Sequence, residues 1–223
     1  MYYNNSRNRG CGGCGGSGGC SQASCFCQPS NGSNVCRALG PFTAVDSACI
    51  IPPANTGSVI PFASGVVPVV LTTVLGGLVS TPAFVGFGTN ILSPTVLGTT
   101  IDLSGLFNEA FSVPRAGTLT AISASFTLTA AVTLLGTTTI TAQIFRAPAG
   151  SNTFTPTGVS VDLAPAVTGV LAVGTTVFGT SANFPPVPVA AGDRLLMVFS
   201  STTSGLDLAG AITGTASAGL TIS

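Results

Sequence analysis

Seven cysteines are the residues best equipped for chemistry, and all fall within the first 49 positions: Cys11, Cys14, Cys20, Cys25, Cys27, Cys36 and Cys49. Cys11-x2-Cys14 and Cys25-x-Cys27 place thiolates near the spacing of a tetrahedral zinc site. Zinc modules usually hold two well-spaced pairs with ordered residues between them, whereas Gly12, Gly13, Gly15, Gly16, Gly18 and Gly19 crowd this stretch. An internally closed disulfide module is a second reading, and an odd count leaves it one thiol over. The third is crosslinking between chains. Flexible glycines let each thiol sample many partner geometries, which relaxes the distance and dihedral demands of a disulfide. This reading needs no special geometry and is preferred, with all seven cysteines as intermolecular disulfide candidates.

The carboxylates are Asp46, Asp102, Glu109, Asp162, Asp193 and Asp207. Asp102 and Glu109 could make the acid/base pair of a glycosidase. The plainer expectation is that they sit in turns or pair with Arg115 and Arg146. Asp193, in Gly192-Asp193-Arg194, is expected to cap a turn through its side chain. Gly86-Phe87-Gly88 half-matches a phosphate loop, but no lysine follows, so a turn is expected there as well. Asn4-Asn5-Ser6 and Asn31-Gly32-Ser33 match the N-glycosylation pattern, and Tyr2 and Tyr3 are the only tyrosines. The rest of the catalytic repertoire is missing. Without His there is no Ser-His or Cys-His dyad and no imidazole metal site; without Lys there is no Schiff base and no Walker A lysine. The expectation is a protein that is not an enzyme and takes no cofactor.

Charge narrows the partners. Only six basic and six acidic residues occur in 223, for a net charge of zero, where an average chain of this length carries about 55 charges. That removes the footprint of a nucleic-acid binder or a polybasic membrane ligand. No charge lies between Asp46 and Asp102, yet prolines and glycines interrupt every apolar run there. The longest, Val66 to Leu75, contains Pro68 and is half the ~20 residues that a bilayer needs. No membrane span is expected. Residues 1–20 show no apolar stretch after the arginines, so no secretory leader is expected. With 45% apolar residues, 30 Thr and 23 Ser, the chain should fold or assemble behind a surface of hydroxyls and glycine.

The elements that must carry these residues fall into two regions. Composition shifts from Gly/Asn/Ser/Cys to Val/Thr/Ala/Leu near Ile50, giving a Cys/Gly-rich arm over 1–49 and a second domain over 50–223, linked through Pro52-Pro53. Residues 122–129 alternate apolar with hydroxyl, as do 139–144. At the C-terminus Ile212, Gly214, Ala216, Ala218, Leu220 and Ile222 share one side, with Thr213, Thr215, Ser217, Thr221 and Ser223 on the other. Period two marks half-buried strands. Arg194-Leu-Leu-Met-Val-Phe199 is apolar on both sides, as in a strand covered on both faces. Helix signals are nearly absent. Eight to ten short strands predict an all-β jelly-roll sandwich.

Long irregular segments carry a resemblance: Val59-IPFASGVVPVVLTTVLGGLVSTPAFVGFG-Thr89, Phe111-SVPRAGTLTAISASF-Thr127, Ile140-TAQIFR-Ala147, Asn152-TFTPTGVSVDLAP-Ala166 and Arg194-LLMVFSSTTSGL-Asp207. These resemble the C-terminal domain of BclB-type collagen-like exosporium glycoproteins of Bacillus spores, over residues 57–223, about three-quarters of the chain. The resemblance implies a spore-surface protein whose compact β domain trimerises, by analogy with tumour necrosis factor-like jelly rolls. The chain differs in having the Cys/Gly arm where that family has a collagen-like stalk. The resulting expectation is a structural, self-assembling subunit of the exosporium or of an endospore appendage or fibre. Its partners would be itself, as a homotrimer and higher assembly, and other spore-coat or exosporium proteins. It would be made in the reducing mother-cell cytoplasm without a signal peptide and oxidised later. The alternative is a surface adhesion module binding carbohydrate or protein. The absence of Trp, and of Tyr after Tyr3, favours assembly.

Overall fold

The computed structural model describes residues 23–24, 43–44, 57–74, 79–93, 98, 100–105, 108–204 and 209–223. The chain divides into two units, Met1–Ala54 and Asn55–Ser223. In the first, β1 (Ala23–Ser24) pairs antiparallel with β2 (Thr43–Ala44), Ala23 opposite Ala44. All seven cysteines lie outside the described residues, as do Tyr2, Tyr3, Asp46 and Asp207.

The second unit is all-β, with no helix among the described residues. Its strands are β3 (Ser58–Ala63), β4 (Val69–Val74), β5 (Val79–Thr81), β6 (Ala83–Val85), β7 (Asn90–Leu92), β8 (Ile101–Asp102) and β9 (Phe111–Ser112). Then come β10 (Gly117–Leu128), β11 (Val132–Ala147), β12 (Thr153–Leu171), β13 (Thr176–Ser181), β14 (Val187–Val189), β15 (Arg194–Ser204) and β16 (Ala209–Ile222). They form one 14-stranded antiparallel sheet in the order β5-β4-β16-β10-β13-β12-β11-β15-β6-β7, with β3 on β16, β14 on β10, β8 on β12 and β9 on β15. The expected count of eight to ten short strands is thus corrected upward, and five of the strands exceed ten residues.

Two halves of this sheet meet through a single residue pairing, Ala164 opposite Phe178, between β12 and β13. Gly179 permits the close approach, because a Cβ there would press on the Asp162 carbonyl oxygen and the Val161 side chain. The main core lies between the halves. Ile122, Ala124, Phe126 and Leu128 from β10, and Ile212, Ala216 and Leu220 from β16, share one cluster with Ile140 and Ile144 of β11 and Leu195, Met197 and Phe199 of β15. Each such side chain contributes about 1.5–3 kcal/mol when withdrawn fully from water. Gly214 interrupts the apolar series of β16 for a steric reason: a Cβ would collide with the Phe126 ring and the Thr127 carbonyl oxygen.

A second, smaller cluster covers the outside of the β15 half. Leu196 and Val198 point away from the main core and meet Phe84, Phe145 and Phe154, roofed by Ile101 and Leu103. The roof is anchored by β8 pairing with β12 and by the Leu103 N–H donating to the Asn152 carbonyl at 3.1 Å. Burial on both faces explains the uninterrupted apolar run of 195–199, as expected from the sequence.

One edge is finished by backbone chemistry. Ala63 directs its N–H to the Gly86 carbonyl and its own carbonyl to the Gly88 N–H, both at 2.8 Å, so it faces away from β16. Strand alternation turns Pro61 and Val59 the same way. Pro61 has no N–H to leave unpaired at that position.

Candidate functional site

The outer face of β10, β13, β16 and β3 presents side chains of one chemical kind. Registers give rows across three strands: Thr215–Thr127–Thr176, Ser217–Ser125–Phe178 and Gly219–Ser123–Thr180. Val59 and Pro61 continue the face beside Thr221 and Gly219. These positions point outward because their neighbours Ile122, Ala124, Phe126, Val177, Ala216 and Leu220 are buried in the core. The hydroxyls are linked across strands: Ser125 with Ser217 at 2.9 Å, and Thr127 with Thr176 at 2.9 Å. No ionisable residue occurs in any of the four strands. Arg115 stands at the margin, its Nη2 donating to Ser58 Oγ at 3.3 Å. A shallow hollow of about 290 Å³ opens on this face, lined by Val59, Ala121, Ser123, Thr180, Gly219 and Thr221 among others.

Phe178 is exposed on this face, as is Phe87 elsewhere. Neither ring joins the two buried clusters. Alternation in Thr176-Val-Phe-Gly-Thr180 carries the signal, since a buried Val177 turns Phe178 out beside Thr176 and Thr180.

The carboxylates are spread over separate jobs. Asp102, fully exposed on β8, accepts the Ser104 N–H at 2.8 Å. That bond, aided by the Ser104 hydroxyl, holds its carboxyl below the ordinary aspartate value. Glu109 is buried and accepts the Thr89 hydroxyl at 2.7 Å. Gly86 makes room for this carboxylate, whose Oε2 occupies the space a Cβ would need. Asp162 accepts the Thr141 hydroxyl at 2.7 Å. Asp193 caps its turn as expected, accepting the Ala190 N–H at 2.9 Å, with Arg146 Nη1 at 3.7 Å. Asp102 therefore ends β8 and caps the turn that follows, Glu109 is held by Thr89, and Arg146 and Arg115 serve other groups; among the described residues no partner is common to Asp102 and Glu109.

Arg194 is a fastener. Its Nη1 donates to Asn152 Oδ1 at 2.6 Å and to the Ser151 carbonyl at 3.2 Å, and its Nη2 to Asn108 Oδ1 at 2.6 Å. The guanidinium lies 5.2 Å from the centroid of the Phe154 ring. Two loops and the second cluster are thereby tied to the start of β15, partly through the attraction between a cation and a ring face. Among the described residues no group of three or more His, Cys, Asp or Glu could hold a metal ion. Nor is any described helix long and apolar enough to cross a membrane.

No family model matches the chain. It is similar to "Collagen-like protein 1" of Acanthamoeba polyphaga mimivirus, 33% identical over an alignment of 180 residues that covers 76% of this chain. The match spans only 19% of the viral protein's length. Most of this chain is therefore similar to one segment of a much longer protein.

Proposed function

We propose that the chain is a non-catalytic structural subunit that associates with copies of itself at a biological surface. The observation that carries this reading is the uncharged hydroxyl face, with Val59 and Phe178 left exposed upon it. Association of copies covers such a face without bringing like charges together. The similarity to a protein named as collagen-like supports a structural role. The cysteines of the arm then lock neighbours by disulfides. The resemblance of residues 57–223 to the BclB-type domain supports a jelly-roll trimer, and it is the ground for proposing an exosporium or spore-appendage subunit with other coat proteins as partners. Sugar recognition is the weaker reading, since the face offers Phe178 and neither Trp nor Tyr as a platform.

Electrophoresis and sedimentation of the full chain test both parts. Without reductant the expected pattern is a ladder or material held in the well, collapsing with thiol to one band near the chain mass of 21.9 kDa. Replacing all seven cysteines by serine should abolish the ladder and leave the β spectrum and a trimer in sedimentation. A monomer at every concentration would sink self-association, and a single monomeric band without reductant would sink the crosslinking.

A further inference from the structure

The uncharged face carries a knob and a hollow side by side. Phe178 stands out of β13 with 66% of its surface exposed. Two residues along the same side of that strand, Thr180 forms part of the rim of the hollow. The hollow exists because the row Pro61–Gly219–Ser123–Thr180 has no side chain at Gly219 and only a short one at Ser123. Val59, Ala121 and Thr221 are among the residues that line it.

We propose that this hollow receives Phe178 of a second copy of the chain. The proposal rests on the self-association reading above, though not on the number of copies. Size permits it: an apolar cavity of about 150 Å³ holds a benzene ring, and this hollow measures about 290 Å³. Charge selects the occupant. A partner that brought an ionised side chain onto this face would lose its hydration and find no counter-charge on β3, β10, β13 or β16. The complementary surface must therefore be uncharged, with a protruding apolar group among hydroxyls. The chain presents one itself, in Phe178 between Thr176 and Thr180. Knob and hollow then exchange about a two-fold axis or follow one another around a ring.

The test uses the full chain with reductant present, so that the arm's thiols hold nothing together. With photoreactive benzoylphenylalanine in place of Phe178, irradiation should join two chains, and the adduct should map to residues 119–123 or 217–222. Phe178→Ser should weaken association at least tenfold in sedimentation equilibrium. Gly219→Val, which fills the hollow and leaves Phe178 in place, should do the same; the nearest atom to a new Cβ there is Val59 Cγ1 at 3.9 Å, so the fold accepts it. An unchanged far-ultraviolet spectrum checks both variants. If copies associate and both substitutions leave the affinity unchanged, this contact is wrong and self-association stands. An adduct to residues 1–56 assigns the face to the arm and overturns the proposal. A monomeric wild-type chain overturns the contact and the self-association reading together.

Discussion

The β unit has two outward faces, and the same strand alternation builds both. On the β10–β13–β16 side the outward residues are Ser, Thr, Gly and Ala with one Phe, and no chain segment among the described residues packs over them. On the β11–β15–β6 side the outward residues become Phe145, Leu196, Val198 and Phe84, and a roof carrying Ile101 and Leu103 buries them. The roof is fastened by polar contacts at its margins: Arg194 to Asn108 and Asn152, and Thr89 to Glu109. The difference teaches that outward composition is set by what arrives later in space and not by the strand itself. A strand that will be roofed is apolar on both sides, and one left open shows hydroxyls to whatever comes next.

The largest expected effect comes from substituting one residue on each face. Phe154→Ala, at a fully buried position of the roofed cluster, should cost about 3–5 kcal/mol in denaturant unfolding of the reduced chain. Ser125→Val on the open face should change stability by no more than about 0.5 kcal/mol. Similar losses from the two would mean that the open face is also covered within a single chain.

Of intermediate size is the fastening of the roof. Thr89→Val keeps the volume and removes the hydroxyl that donates to the buried Glu109 carboxylate. A cost of about 1–3 kcal/mol is expected in the same assay. Loss of the hydrogen bond without loss of stability would show that water replaces the hydroxyl.

The smallest effect concerns acid. There is no His, so acidification from pH 7 first reaches carboxylates, whose ordinary values lie near 4. The Asp102 carboxyl is held lower in the folded state by Ser104. Its contribution is therefore present above the ordinary aspartate value and is lost as pH falls through the lowered one. The group is fully exposed, so the contribution is small. Asp102→Asn should leave the unfolding midpoint at pH 7 nearly unchanged and flatten the acid limb slightly. A steep change between pH 5 and 7 in the wild type would contradict this account.

Much of this architecture was legible in the sequence. The alternation in 122–129 and 212–222 identified the outward hydroxyls, and the apolar run 195–199 announced a strand buried on both faces. Even Gly214 kept its place on the inward side, where Phe126 requires it. Strand number and length were less legible. Thr137-Thr138-Thr139 shows no alternation of apolar with polar, yet it pairs continuously with Thr202, Thr203 and Ser204 in β15. The roof was not legible, because its fasteners join residues such as Asn108 and Arg194 that no local pattern links. Nor was the hollow beside Phe178, which depends on the registers of β3, β10, β13 and β16 together. The cysteine chemistry stays with the sequence, since those residues lie outside the described ones.

The edge at β3 has a consequence for how such a composition survives at high concentration. A protein with 5% charged residues and so many Val and Thr has the makings of cross-β stacking, in which one chain's free edge templates the next. Most proteins repel such encounters with lysines along the edge, and this chain has none. At β3 the repulsion is replaced by an amide nitrogen without a hydrogen, at Pro61, and by a carbonyl and N–H already engaged, at Ala63. An incoming strand finds too few partners there to continue a ladder. Growth at this edge is thereby halted, and ordered contact between copies is left to the faces.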